Sequence, residues 1–307
     1  MTDRSLGIVV VGLGIAGKVR VRDLKQKVLG DTVVLRGVIS RRQVEDDLPV
    51  LHWDEALTRD DVDAFIICTE NDTHEEYARK ILEHGKHVLV DFPLSLTAES
   101  GKKIFDLAES KGLTCHVEDI ALLLDSHMDM KQTIQNKTAP LIEGSIRLDA
   151  RFTKEWIADI NRAGFPSFSG ISQLEILYDL FGELSLQEAH FVHEPDLHLL
   201  TCKLHTSDNR PITWTTERVQ GGKPRQASQE YKFEDGSTVT PAPVSKPPGP
   251  PPPGHKGLFA RDVEIFLSEI RGERSSDEIA QDKKRVLYCL ELAEKIEKMA
   301  KTGTSCS

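Results

Sequence analysis

The sequence predicts an α/β protein: an N-terminal doubly wound parallel sheet, followed by a C-terminal α+β domain with a large, mainly antiparallel sheet. Three observations predict it. Up to about Lys111, short β-rich runs alternate with helical stretches, the pattern of βαβ units around a parallel sheet. Beyond about residue 140, strand-like runs follow one another across turns with few helices between them, which suits antiparallel pairing. Two long helical segments then close the chain. At 307 residues there is length for two cores, and the boundary is drawn at residue 120, giving domains 1–120 and 121–307.

The elements follow in order. Gly7–Val11, Val33–Ile39, Ala64–Cys68, His87–Val90 and Leu113–Val117 are the strands of the first half. Ala16–Lys27 and His74–Glu83 have helical composition, and the second opens with Thr73-x-x-Glu76, the spacing of a capping box. A third helix runs from Thr97 to Ser110 and stops near Gly112. In the second half Gly144–Phe152, Glu188–His193, Leu197–His205, Pro211–Glu217 and Gln229–Phe233 are strand candidates, with helices at Leu258–Ile270 and Asp277–Lys301. The proline-rich run 241–254 cannot be a central strand or helix, because proline lacks the amide donor and fixes its own φ. It is an exposed loop or a proline-motif ligand for a partner domain.

A net charge of −10 opposes general nucleic-acid binding, which needs a basic surface, so an anionic ligand requires a local basic pocket. No run of about 18 apolar residues is present to span a membrane, and the apolar stretch after Ser5 is too short for an export signal. A soluble, cytoplasmic monomer is expected. The five cysteines are odd in number and widely spaced, without a Cys-x-x-Cys pair, which fits a reducing compartment and no zinc.

Val9-Val10-Val11-Gly12-Leu13-Gly14-Ile15-Ala16-Gly17 is a hydrophobic strand running through G-x-G-x-x-G into a helix. Gly12 permits the tight turn, Gly14 lets a pyrophosphate approach the backbone, and Gly17 allows close helix–strand packing. This makes the first sheet Rossmann-type and its ligand a dinucleotide. NAD sites place Asp or Glu after the second strand for the ribose 2′-hydroxyl. Here the chain has Ser40-Arg41-Arg42, a hydroxyl and two guanidiniums suited to a 2′-phosphate. NADPH is the expected cofactor, with NADH possible; two solvated loop charges are the alternative reading.

Cys68-Thr69-Glu70-Asn71-Asp72-Thr73-His74, followed by Gly85-Lys86-His87-Val88-Leu89-Val90-Asp91-Phe92-Pro93, resembles the glucose–fructose oxidoreductase/inositol dehydrogenase superfamily, with its Glu-Lys-Pro motif after the strand. The resemblance implies that Asn71 and His74 border the nicotinamide half of the cofactor and that Asp72, Thr73, Asp91 and Phe92 belong to the cofactor-binding set, although Asn71 to Thr73 also suit a helix cap. In that superfamily a Lys and a His handle the proton of a sugar hydroxyl. Phe92 stands at the Lys position and Ser172 at the His position. A phenyl ring cannot deprotonate anything. Sugar or polyol dehydrogenation is therefore disfavoured, leaving reduction of an electrophilic π-system or a catalytically silent dinucleotide-binding regulator.

Longer stretches are similar to one branch, the biliverdin reductase A proteins: Val10-Val11-Gly12-x-Gly14-x-Ala16-Gly17, Ser40-Arg41-Arg42, Gly164-Phe165-Pro166-x-Phe168-Ser169-Gly170-Ile171-Ser172, Leu180-Phe181-Gly182-Glu183-Leu184-Ser185-Leu186 and Lys283-Lys284-Arg285-x-Leu287-x-Cys289. The resemblance implies reduction of biliverdin to bilirubin in heme catabolism. Hydride would pass from NADPH to the central methine carbon, with a proton added at a pyrrole nitrogen. Two departures stand out. The Tyr that mammalian members carry at the position of Phe92 is absent, and of their His-Cys…Cys-Cys zinc cluster only Cys289 and Cys306 remain, beside Tyr288.

For this chemistry Arg162 is the leading catalytic candidate, binding a propionate, stabilising developing charge or ordering a proton-donating water. A surface ion pair is its bland alternative. Glu118, at the sheet's carboxyl edge, orients pyrrole N–H groups or serves as a helix N-terminal carboxylate. Phe165, Phe168 and Trp214 line a flat tetrapyrrole pocket or fill core. Ser169, Lys223 and Arg225 complete the substrate set, the two cations either facing propionates or sitting on a solvated turn.

Overall fold

The computed structural model describes residues 5–42, 44, 48–166, 169–242 and 254–303. It divides into two units, the first made of Met1–Ser95, Glu99–Leu123 and Lys246–Lys283. Its chain runs β1 (Leu6–Val11), α1 (Ile15–Lys25), β2 (Val33–Ile39), α2 (Trp53–Thr58), β3 (Ala64–Ile67), α3 (His74–Glu83), β4 (His87–Val90), α4 (Ala98–Ser110) and β5 (Cys115–Val117). The strands form a parallel sheet in the order β2-β1-β3-β4-β5. Helical crossovers cover both faces of such a sheet, so its strands are apolar without alternation. Val9, Val10, Ala64, Phe65, Ile66 and Ile67 are all fully shielded. In α3 the buried positions His74, Ala78, Ile81 and Leu82 form one stripe at helical spacing. The chain leaves β1 for β2 on one side and continues to β3 on the other, so the carboxyl end of β1 is the switch point where such sheets bind ligands.

The expected capping box at Thr73 does not form. Its hydroxyl donates backwards to the Glu70 carbonyl at 2.7 Å and lies 2.7 Å from the Thr69 hydroxyl, closing the 3₁₀ turn Asn71–Thr73 instead.

The second unit contains α5 (Asp125–Gln135), β6 (Leu141–Arg151), α6 (Glu155–Ala158), α7 (Ile160–Ala163), α8 (Gly170–Phe181), β7 (Ser185–Glu194), β8 (Leu197–His205), β9 (Pro211–Val219), β10 (Gln226–Phe233) and β11 (Thr238–Val239). Its six-stranded sheet has the order β11-β10-β6-β9-β8-β7. Every neighbouring pair is antiparallel except β6 with β9, so the sheet is mixed rather than purely antiparallel. One face carries Ile146, Leu148, Leu200, Cys202, Leu204 and Trp214, all buried. Trp214 is wholly enclosed and donates to Gln173 Oε1 on α8 at 3.1 Å, which makes it core and not pocket lining. The other face is laced by cross-strand ion pairs: Lys232 with Glu143, Arg147 with Glu217, Lys203 with Glu188. Helix α8 escapes the sequence reading because Ile171, Ser172, Gln173, Leu174, Glu175 and Leu177 are all buried. A helix buried all round through its first turns shows no polar stripe there.

Two helices remain, α9 (Leu258–Ile270) and α10 (Ser276–Gly303). Helix α9 corrects the boundary at residue 120: Val263, Phe266 and Leu267 join Ile8, Val10 and Leu89 in the core of the first unit. Residues of α10 up to Lys283 count with the first unit and those from Lys284 with the second. There Tyr288 locks both backbone groups of Leu184, accepting from its N–H and donating to its carbonyl at 2.6 Å each. Of the proline-rich run, 243–253 lie outside the described residues, as do Phe168 and Cys306.

Candidate active site

The glycine turn behaves as its spacing demands. Gly12 has φ +90°, and a Cβ there would lie 2.5 Å from the Cys68 carbonyl oxygen. A Cβ on Gly17 would sit 2.0 Å from the Gly12 oxygen, so α1 packs on the turn only without one. At Gly14 the nearest atom would be 3.8 Å away. The protein itself leaves that space open, as a closely approaching pyrophosphate requires. Gly14 caps α1 without a side chain, and the first amides of a helix have no partner within it. Ile15 is 81% exposed at the same spot, an apolar side chain for a bound ligand to cover. Past β2, Arg42 donates its amide to Ser40 Oγ at 3.0 Å and its guanidinium to the Leu13 carbonyl at 3.4 Å. Ser40, Arg41, Arg42 and the turn are thus assembled, and the residues fit a phosphate-bearing dinucleotide.

Beneath the turn lies a buried charge network. Arg20, fully shielded, donates to Asp91 and Asp262 at 2.9 Å each; the two carboxylates outweigh its burial and hold it cationic. His116 donates to Asp262 and Glu269 at 3.0 Å, and although burial opposes its charge these bonds lift it to about 10. Asp91 is therefore fixed from behind, at the end of β4.

Glu118 is 2% exposed and accepts from the amides of Phe92 (3.5 Å) and Ile120 (3.3 Å). Burial, then the charges of Asp91 and Asp262, push its carboxyl well above the usual range, toward the neutral form. It positions the Phe92 backbone, correcting the expectation of a group presented to substrate. His74 is corrected likewise: it is fully buried, Nδ1 donates to the Pro93 carbonyl at 2.8 Å, and burial lowers its pKa. Asn71 is 2% exposed. These two shape the segment after β3 from inside, while Asp72 and Thr73 reach the surface.

In the second unit, strand register brings together side chains that the sequence reading missed. His193 pairs with His198, His198 with Arg218, and Arg218 with Ala150 across β7, β8, β9 and β6. Gln226 pairs with Asp149, which puts Arg225 beside the same row. Four basic side chains thus cross the sheet with only the small Ala150 among them. Burial, then Arg225, lower Arg218 to about 10; burial, then His193 and Arg218, lower His198 to about 4. Like charges thus oppose one another along the row, and an anion entering it would relieve that opposition. Arg218 donates to Ser169 Oγ at 2.8 Å and to the Arg151 carbonyl at 3.5 Å. Ser169, 3% exposed, thus accepts from Arg218 and helps to hold it in place.

His193 also lines a cavity of about 590 Å³ with Ile160, Asn161, Phe165, Phe191 and Lys301, a volume suited to a small-molecule ligand. Phe165 and Phe191 meet edge to face at 5.2 Å. Arg162, half-buried on α7, follows the cavity residue Asn161 in the chain without lining the cavity itself, whereas Lys223 stays on the exposed turn before β10. Among the described residues no group of three or more His, Cys, Asp or Glu is placed to hold a metal.

Two family models divide the chain between them. One, an oxidoreductase family with an NAD-binding Rossmann fold, matches residues 6–119; the other, biliverdin reductase, catalytic, matches residues 127–246. With the glycine turn above, they define a two-domain, dinucleotide-dependent oxidoreductase. Biliverdin reductase A of Mus musculus is 36% identical over 300 residues, covering 96% of each chain, and that of Homo sapiens is 36% identical over 301 residues with the same coverage. The chain belongs to the biliverdin reductase A family. The biliverdin reductase of Synechocystis sp. PCC 6803, solved with biliverdin and NADP+, shares the fold at TM-score 0.77 and 21% identity, over 96% of this chain and 99% of that one.

Proposed function

We propose that this protein reduces biliverdin to bilirubin with NADPH, NADH serving as a second donor. The carrying observation is that agreement with biliverdin reductase A runs through both units, across 96% of the chain. The geometry supports each half. The first amides of α1 and the open side of Gly14 receive the pyrophosphate, and Ser40, Arg41 and Arg42 hold the 2′-phosphate. Asp72, Thr73, Asp91 and Phe92 border the nicotinamide half. The cofactor, when bound, supplies hydride to the central methine carbon.

Arg218 and Arg225 take the propionate carboxylates, as guanidiniums suit bidentate acceptors. Phe165, Phe191 and His193 face the pyrrole rings. Arg162 orders the water that gives a pyrrole nitrogen its proton, a role for which its fixed charge suits it. The protein acts as a monomer, which the ion-paired outer face of the second sheet supports, and in the cytoplasm, where the four described cysteines, all free and buried, stay reduced. No helix of the described residues is long and apolar enough to cross a membrane.

Mixing the purified protein with NADPH and biliverdin should turn the pigment from green to yellow. Tight NADPH binding without pigment turnover would overturn the reading and leave a dinucleotide-binding regulator.

A further inference from the structure

Arg41 stands just past β2 and Glu70 just past β3, the two strands that flank β1. Nη2 of Arg41 nevertheless lies 3.5 Å from Glu70 Oε1. With β1 between its two strands, this ion pair crosses the Gly12–Gly14 turn at the end of β1. Arg42 leans the same way, onto the Leu13 carbonyl. The pair is open to solvent on one side: Arg41 is 81% exposed and Glu70 23%.

We propose that Glu70 sets the balance between the phosphate-bearing and phosphate-free dinucleotides. The inference rests on the glycine turn being the dinucleotide site. Exposed ion pairs are weak, whereas a phosphate accepts a guanidinium through two charge-assisted bonds. A 2′-phosphate therefore takes Arg41 from Glu70 and leaves that carboxylate beside a group of like charge. A 2′-hydroxyl brings no charge. Arg41 then stays neutralised, and Glu70 is a carboxylate acceptor near the ribose, the part an Asp or Glu past the second strand plays in NAD sites. Glu70 weakens NADPH binding and spares NADH.

Dissociation constants of the full chain for NADPH and NADH, read from nicotinamide fluorescence without bilin, test this. Glu70→Gln should tighten NADPH about three- to tenfold at low ionic strength, an effect that shrinks with added salt, and should leave NADH unchanged or weaker. The same preference should appear with 2′-AMP against 5′-AMP as competitors. Arg41→Gln should weaken NADPH and erase most of the gain from Glu70→Gln in the double variant. Equal shifts for both dinucleotides, or no change for NADPH, would overturn the role of Glu70. Failure of the unaltered protein to bind either dinucleotide would instead overturn the site on which the inference rests.

Discussion

Arg218 on β9 donates to the hydroxyl of Ser169, the residue that opens α8, at 2.8 Å. A helix and a strand are thereby coupled at the one guanidinium of the basic row that is almost wholly buried, 5% exposed. Its neighbours in register are His198 and Ala150, so its direction is fixed on both sides.

Replacing that guanidinium should act on substrate binding more than on turnover. A hydrogen bond to a charged group contributes about 1.5–3 kcal/mol, roughly a tenfold to hundredfold effect. Arg218→Gln should raise KM for biliverdin by about that factor while kcat changes less. The dimethyl ester of biliverdin, which has no propionate charge, should show little difference between the two proteins. Ser169→Ala should give a smaller rise in the same direction. Equal losses for the acid and the ester would remove Arg218 from carboxylate binding.

Two histidines shape the pH dependence of stability from opposite sides. His198 is lowered from 6.5 to about 4, by burial first. Between those values the unfolded chain binds a proton that the folded chain does not, so stability is fullest above about pH 6.5 and falls as pH drops toward 4. The contribution is on the order of 3 kcal/mol at most. His116 is raised from 6.5 to about 10. Its contribution is present below pH 6.5 and is lost as pH rises toward 10. Urea midpoints from pH 4.5 to 10 should fall at both ends. His198→Phe should flatten the acid side and His116→Gln the alkaline side; a variant that leaves its own side as steep as before would refute the assignment for that histidine.

The three glycines of the turn should separate stability from cofactor binding. Gly17→Ala drives a methyl to 2.0 Å from the Gly12 oxygen, so α1 must shift; a loss of about 1–3 kcal/mol is expected, as for other overpacked sites. Gly14→Ala meets nothing closer than 3.8 Å. It should unfold within a degree or two of the unaltered protein and yet bind NADPH at least about tenfold more weakly, because the methyl occupies the pyrophosphate's approach. Normal NADPH affinity in Gly14→Ala would show that the phosphates lie elsewhere.

What was legible in the sequence follows how local each signal is. Ala64–Ile67 reads as a buried strand because an unbroken apolar run has few other uses between two turns. The glycine turn is legible because its three constraints fall within six residues. The basic row is not, since His193, Arg218 and Arg225 become neighbours only through the pairing of β7 to β10. Position and direction also separate: Glu118 and His74 stand in the segments the motifs indicate, but both point inward. Periodicity gives no warning for Glu118, which follows the end of β5, whereas His74 falls on the buried stripe of α3. The carboxylate–guanidinium pair of Glu70 and Arg41 joins residues 29 positions apart and depends on β1 lying between β2 and β3.

Phe92 offers a test of which chemistry the site has given up. It is half-buried, with its amide held by Glu118, and the ring has no proton to give or take. Ser172, which the sequence resemblance sets against the superfamily's His, is 6% exposed on α8. If neither position moves a proton, then Phe92→Tyr should keep kcat for biliverdin within about threefold, the added hydroxyl ordinarily titrating near pH 10. The kcat–pH profile should gain no inflection between pH 6 and 9. The unaltered protein should likewise reduce no NADP+ when offered myo-inositol or glucose. A Phe92→Tyr variant that is faster by tenfold or more, or that acquires a new titration in its kcat profile, would show that proton delivery at this position limits the reaction after all. Reduction of NADP+ by a polyol would show that the sugar chemistry survives without the Lys and His.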